Sequence, residues 1–463
     1  MSHVSPGIFR EYDIRGIAGG DLNADAVELV GRAYGTTLRR AGHAACAVGR
    51  DNRPSGVELS AALIRGLRST GCDVIEVGEV ITPALYFSRV HFDLPGGVMV
   101  TGSHNPPAYN GLKLNWGNGS LYGDDIQNLL RLIQADDLER GDGAVREADI
   151  IPAYHEMLRT KTPLGPRRVK AVIDSGNGAA GPVVHPFIES LGVEVTALYC
   201  DSDPTYPNHH PDPTKLDNIR VMAERVRAEG ADVGLGFDGD CDRLGAVDER
   251  GEVIWADQLM ILYAREILKS RPGAPIILDV KCSQALADEV IKAGGRPVMW
   301  KTGHSLIKAK LWEDNAPFGG EMSGHLFFKD EYFGYDDALY AACRLVRMLS
   351  NSDQSLSQML AAVPQFFSTP EIRVHCPEQI KFEVVKAAVV ELKRKFDHVI
   401  DIDGARVVTD EGWGLVRASN TQPALIVRCE GKTREALERM KAIIGGALAK
   451  FPEVKLDWSH QGE

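Results

Sequence analysis

The sequence predicts an α/β protein: three similar domains built on mixed sheets, followed by a smaller C-terminal α+β domain. Three observations carry this expectation. A strand–helix–strand pattern occurs three times, and it gives way to a different pattern after about residue 368. The length of 463 residues suits three or four domains at ~150 residues each. In each copy an apolar strand enters a polar turn, an amphipathic helix follows, and a glycine precedes a second strand. Such alternation specifies βαβ units in parallel or mixed sheets.

The first copy runs from a strand at 45–51 through a helix near 59–67 to Gly71 and a strand at 74–77. The second begins at 169–174, passes 187–191 and resumes as a strand after Gly192. The third begins at 275–280, passes 285–291 and resumes after Gly294 and Gly295. Beyond 368, strands at 371–375, 399–408, 414–418 and 424–428 and helices near 382–396 and 434–448 read as an antiparallel sheet with two helices. The expected domains are 1–150, 151–254, 255–366 and 367–463, divided at Pro152, the turn at 248–251 and the Val-Pro-Gln at 363–365.

Composition narrows the class. Hydrophobic residues at 44% and charged residues at 25% match an ordinary globular protein. A net charge of −12 argues against a nucleic-acid binder, which would show a basic surface. An anionic ligand would therefore need a local basic pocket in an acidic whole. The N-terminus lacks the apolar core of a signal peptide, and no run approaches the ~20 apolar residues of a spanning helix. The eight cysteines are scattered without a CxxC pair, as expected of reduced thiols. A cytoplasmic enzyme with neither membrane nor nucleic-acid partner is the expectation. Oligomeric state leaves no mark in the sequence.

The strongest chemical signal is Phe-Asp-Gly-Asp-Cys-Asp-Arg at 237–243. Asp238, Asp240 and Asp242 repel one another, and a folded site tolerates them best around a cation. Oxygen ligands favour a hard divalent ion such as Mg²⁺. Acidic runs are commonly solvated turns, but Val-Gly-Leu-Gly at 233–236 and Leu-Gly-Ala-Val at 244–247 place these carboxylates at a strand end. An EF-hand is excluded, because Arg243 stands at the sixth loop position, where that motif needs glycine. A second signal is Val-Met-Val-Thr-Gly-Ser-His-Asn-Pro-Pro at 98–107. An apolar strand delivers Ser103 into a rigid turn, where it could act as a nucleophile with His104 or Lys113 assisting proton transfer. Taken alone, this fragment is more readily an ST- or Asx-type turn.

Together the two segments resemble the α-D-phosphohexomutase superfamily, the first its phosphoserine loop T-[AG]-S-H-N-P, the second its metal loop D-G-D-x-D-R. Gly-Glu-Met-Ser-Gly-His at 320–325 is similar to the family's sugar-binding loop, and Arg-Ala-Ser-Asn-Thr-Gln-Pro at 417–423 to its phosphate-binding loop. The four occur in the family's order, one per expected domain. The Glu-Met-Ser-Gly-His form resembles the phosphomannomutase/phosphoglucomutase branch, as do Tyr-Asp-Ile-Arg-Gly at 12–16 and Gly-Trp-Gly-Leu-Val-Arg at 412–417.

The resemblance implies a central cleft and reversible interconversion of hexose 1-phosphates and 6-phosphates of mannose and glucose. The reaction would run through phosphorylated Ser103 and a hexose 1,6-bisphosphate, with one Mg²⁺ on phosphorylated Ser103, Asp238, Asp240 and Asp242. Arg243 would add positive charge, Glu321 and Ser323 would hold the sugar's O3 and O4, and Arg417, Ser419, Asn420 and Thr421 the distal phosphate. Arg15, Lys113 and His304 match active-site positions with acid/base or charge roles, and Tyr12, Lys281 and His325 are further candidates for substrate binding. Nearest alternatives are a phosphoglucosamine mutase, a metal-dependent sugar phosphatase and an idle sugar-phosphate binder. There is one departure: Cys241 stands where the family favours glycine, and a side chain there adopts glycine-like backbone angles only at a cost.

Overall fold

Each repeated segment forms two parallel strands bridged by a helix. A computed structural model describes residues 4–420 and 422–458. Strand Ala45–Arg50 pairs with Asp73–Glu79 across the helix Pro54–Arg68. Lys170–Asp174 pairs with Glu194–Leu198 across Gly181–Ser190. Pro275–Asp279 pairs with Arg296–Trp300 across Gln284–Lys292. The first two helices begin several residues before the apolar periodicity does, each with a proline in the first turn. Proline there has φ preset and no amide to leave unpaired, so it starts a helix that periodicity alone underestimates.

The chain then crosses to the other side of the first strand in all three sheets. It adds a third parallel strand, Gly96–Val100, Val233–Phe237 or Phe318–Gly320. Each of these turns back into an antiparallel partner, Tyr109–Trp116, Leu244–Asp248 or Leu326–Phe328. The sheets are therefore mixed, with seven, five and four strands. Val233–Phe237 is buried throughout, which is why its sequence is unbroken by polar residues.

The hairpin turns closing these strand pairs are residues 101–108, 238–243 and 321–325. They contain Ser103, the three aspartates and Glu321, so three motifs of unrelated sequence occupy one topological position. The last domain is a six-stranded sheet whose pairings are all antiparallel. Its central hairpin joins Gly412–Ala418 to Ala424–Gly431, which makes the fourth motif a hairpin tip as well.

One apolar cluster contains Ala47, Ile173 and Leu278, from strands Ala45–Arg50, Lys170–Asp174 and Pro275–Asp279 of the three mixed sheets. The C-terminal sheet keeps its own core around Val374, Leu425 and Ile444. It meets the third sheet through Val280, Trp413 and Leu415. Arg406 lies 3.7 Å over the Trp413 ring and donates to the carbonyls of Val280 and Cys282, both at 2.7 Å. The eight cysteines are free thiols. Among the described residues no helix is long and apolar enough to cross a membrane.

Candidate active site

Ser103 leaves its strand with φ +49°, a left-handed conformation that non-glycine residues hold only when the surroundings over-determine it. Its amide donates to Thr101 Oγ1 at 2.8 Å. Its hydroxyl lies 3.0 Å from Asp238 Oδ2 and 3.1 Å from His104 Nδ1. The first and second hairpin turns thus meet at the serine.

The acidic turn is closed by the Cys241 amide donating to the Asp238 carbonyl at 3.1 Å. Asp238 Oδ1 accepts the amides of Asp242 and Arg243 at 2.9 and 3.1 Å. All three aspartates are fully buried. Lys113 sends its ammonium between two of them, 2.6 Å from Asp240 Oδ2 and in contact with Asp242 Oδ2. Thr82 donates to the same Asp240 oxygen at 2.6 Å, and the Thr101 hydroxyl lies 3.2 Å from it. Burial opposes ionisation of Asp240, but Lys113 and these hydrogen bonds more than offset it and hold the carboxyl well below the usual range. Asp238 goes the other way, raised by burial and by its two acidic neighbours.

One ammonium does not balance three carboxylates, and Oδ1 of both Asp240 and Asp242 is buried without a hydrogen-bond partner. One oxygen from each aspartate lies within 4.8 Å of the others. Orphaned carboxylate oxygens converging at this spacing fit a hard divalent cation.

Cys241 has φ +65°, so the position does take the backbone that favours glycine. Its thiol is fully buried in the shared apolar core. Burial, then the nearby Asp337 carboxylate, pushes the thiol pKa far up, which keeps it protonated and unreactive. The thiol therefore acts as core packing. Cys241→Gly is expected to be more stable than Cys241→Ala by about 1 kcal/mol, because alanine keeps the left-handed strain and glycine does not. Thermal midpoints of the two variants in the reverse order would contradict that account.

Behind the acidic turn, Arg243 Nε donates to His325 Nε2 at 2.9 Å. A guanidinium cannot accept, so Nε2 is unprotonated and the imidazole proton sits on Nδ1. Nδ1 faces Asp336 Oδ2 at 3.0 Å, and Asp336 is held by Lys308 at 3.0 Å. His325 thus orients Arg243 through Nε2, while Nδ1 stands close to Asp336 without hydrogen-bond geometry. Lys308 and Asp336 carry no sequence signal, since one reads as an ordinary helix lysine and the other as a loop acid.

The remaining candidates line or flank a cleft of about 180 Å³. Tyr12, Arg15, His104, Lys281, Arg417, Ser419 and Asn420 form its walls, with Glu371 and Arg373, which sequence reasoning missed. The Tyr12 hydroxyl donates to the Thr302 carbonyl at 2.7 Å and accepts from the Asn420 side chain. This ties the first, third and fourth domains together across the cleft. Arg417 Nε is held by Asp403 at 2.9 Å, and Lys281 Nζ by Glu371 at 3.0 Å. Arg15 pairs with Asp13 at 2.5 Å.

Glu321 Oε1 accepts the Gly303 amide at 2.5 Å, and burial raises its pKa. Ser323 is half-buried on the same turn. The His304 ring lies 5.5 Å from that of His325 and 6.4 Å from Tyr12. Burial, with neighbouring cations adding to it, pushes His104 and His304 well down, so both are neutral imidazoles near pH 7. Thr421 lies outside the described residues. The basic wall in an acidic protein is the feature an anionic ligand requires.

Comparison with known families matches phosphoglucomutase/phosphomannomutase α/β/α domains I, II and III to residues 6–140, 152–251 and 255–367, and the C-terminal domain to 371–445. A curated phosphomannomutase/phosphoglucomutase of Pseudomonas aeruginosa is 45% identical over 441 residues, 95% of each chain. A phosphoglucomutase of Neisseria gonorrhoeae is 43% identical over 461 residues, 98% of this chain and 99% of its own. The crystal structure of a phosphoglucomutase/phosphomannomutase family protein from Burkholderia thailandensis superposes with a TM-score of 0.92 at 41% identity, covering 98% of this chain and 100% of that one. The chain described here, its four motif loops converging from four domains, belongs to the phosphoglucomutase/phosphomannomutase family of the α-D-phosphohexomutase superfamily.

Proposed function

We propose that the protein reversibly interconverts the 1-phosphates and 6-phosphates of mannose and glucose, with Ser103 as phosphoryl carrier. The observation that carries this reading is the Ser103 hydroxyl 3.0 Å from Asp238, beside the cleft walled by Arg417 and Lys281. In the working enzyme a phosphoryl group resides on Ser103 Oγ. The free hydroxyl of a bound hexose monophosphate attacks the phosphorus, its P–O bond forming as the bond to Ser103 Oγ breaks and its proton passing to a base. The hexose 1,6-bisphosphate turns end for end. Ser103 Oγ then attacks the other phosphoryl group and releases the isomeric monophosphate.

Such transfers depend chiefly on positioning and on positive charge at the transferring group. Asp238, Asp240 and Asp242, with an oxygen of the Ser103 phosphoryl group, would hold one Mg²⁺, which supplies charge neutralisation there. Lys113 is kept charged: burial opposes the charge, but Asp240 and Asp242 outweigh it. Lys113 and Arg243 therefore suit charge stabilisation. Neutral His104, 3.1 Å from Ser103 Oγ, suits proton transfer, with His304 the candidate deeper in the site. Glu321 and Ser323 hold O3 and O4 of the sugar. That pair leaves C2, where glucose and mannose differ, unread.

Arg417, oriented by Asp403, anchors the distal phosphate with Ser419, Asn420 and Thr421, while Arg15, Lys281 and Tyr12 line the approach. A charged hydrogen bond contributes about 1.5–3 kcal/mol, so Arg417→Ala is expected to raise KM roughly 10- to 150-fold by that range, with a smaller change in kcat. An unchanged KM would remove Arg417 from the phosphate anchor.

The reading is tested on glucose, mannose and glucosamine 1-phosphates with Mg²⁺ and catalytic glucose 1,6-bisphosphate. Formation of glucose and mannose 6-phosphates is expected. Preference for the glucosamine phosphate would reassign the enzyme as a phosphoglucosamine mutase, and net release of inorganic phosphate would make it a phosphatase.

A further inference from the structure

The phosphoserine turn does not hold itself. Asp51 and Arg53 follow strand Ala45–Arg50, and Arg53 immediately precedes the helix Pro54–Arg68. Arg53 is 1% exposed, and its guanidinium faces the inner side of the turn. Nη1 donates to the carbonyls of Pro106 and Tyr109 at 2.7 and 2.9 Å. Nη2 donates to those of Ser103 and Asn105 at 2.8 and 2.6 Å. Nε rests on Asp51 Oδ2 at 3.2 Å. The same carboxylate accepts the Thr101 hydroxyl at 2.7 Å and the Gly102 amide at 3.0 Å. Three peptide carbonyls of the turn and that of Tyr109, which opens the next strand, converge on a single planar fork, with the Tyr206 ring centroid 5.8 Å from it.

This arrangement has an electrostatic consequence. Carbonyl oxygens left pointing at Ser103 Oγ would repel a phosphoryl group there. Drawn onto Arg53, they turn away from it, and the left-handed φ of Ser103 is held as part of the same geometry. Gly102 shows how closely the fork is fitted. A Cβ there would lie 2.4 Å from the Arg53 Cζ and 2.5 Å from its Nε, although the Gly102 backbone itself is outside the left-handed region.

We propose that Arg53, seated on Asp51, is a positioning residue for phosphoryl transfer: it turns four carbonyls of the 103–109 segment inward and fixes Ser103 Oγ in line for attack. This rests on the reading of Ser103 as phosphoryl carrier. Lysine cannot replace it, since an ammonium lacks the planar five-donor fork.

The test compares wild type, Arg53→Lys and Gly102→Ala for transfer of label from glucose 1,6-bisphosphate to Ser103, and for kcat and KM with glucose 1-phosphate. A displacement of about 1 Å at a reacting atom costs about 100-fold. Both variants are therefore expected to lose about 100-fold in kcat and in labelling rate, with KM near that of wild type. Gly102→Ala keeps Arg53 and Asp51 in the chain and brings a methyl group against the guanidinium, so it tests the same contact even if Arg53→Lys folds poorly. Wild-type kcat and labelling in Gly102→Ala would overturn the proposal. So would a loss of kcat matched by an equal rise in KM and a lower thermal midpoint, which marks a packing role. A wild-type enzyme that takes no label on Ser103 overturns the carrier reading, and the role of Arg53 with it. Equal labelling of wild type and a folded Arg53→Lys overturns the role of Arg53 alone.

Discussion

Ser103→Ala is expected to reduce interconversion of hexose 1- and 6-phosphates by more than about 10⁴-fold, because a double displacement has no route without its carrier atom. The substitution should be quiet elsewhere. Asp238 loses one hydrogen-bond partner but keeps the Asp242 and Arg243 amides on its other oxygen. The groups proposed to bind the sugar and its phosphate, Glu321, Lys281 and Arg417, come from other strands and turns. Substrate affinity measured by calorimetry should therefore stay near that of wild type while turnover disappears. Turnover within about tenfold of wild type would sink the phosphoserine mechanism, since that residual rate is only ~1.4 kcal/mol away from the intact enzyme.

Lys113→Met is expected to destabilise the metal-free protein by about 3–5 kcal/mol, the usual cost of removing one partner from a buried ion pair. Asp240 and Asp242 are fully buried and share this ammonium. Without it the two carboxylates lose the one ammonium they share, and Oδ1 of each already lacks a hydrogen-bond partner. Mg²⁺ should raise the thermal midpoint of Lys113→Met more than that of wild type, because a cation bound by the native state alone stabilises it by mass action. Midpoints in chelator and in excess Mg²⁺, for both proteins, check this. Equal midpoints in chelator would mean that Lys113 does not neutralise the cluster.

Much of the fold was legible in the sequence for local reasons. Helix Arg434–Leu448 and strand Gly412–Ala418 follow from periodicity bounded by turn residues. The βαβ units follow from strand–helix alternation. Helix starts were less legible, because proline entry at Pro54 and Pro182 precedes the apolar stripe. The motif residues were legible because each combines unusual residue types over a short span: three aspartates at alternate positions, or a serine followed by His-Asn-Pro-Pro. Lys308, Asp336, Glu371, Asp403 and Arg53 were not. Each is a common charged residue whose partner lies far along the chain, 28 residues for Lys308 and Asp336 and 90 for Lys281 and Glu371. Their meaning is a pairing, and a pairing between residues distant in sequence has no local signature.

By itself, then, the sequence determined the element order, the four turns that carry chemistry and the departure at Cys241, because propensity, turn chemistry and side-chain type act over a few neighbouring residues. The tertiary structure alone decided that three of those turns are the same hairpin in three sheets and that Lys113 lies among the aspartates. It also decided that Arg243 is aimed by His325 and that the phosphoserine turn is gathered on Arg53. These depend on burial, which makes an unpaired charge costly and so forces distant groups of opposite sign together.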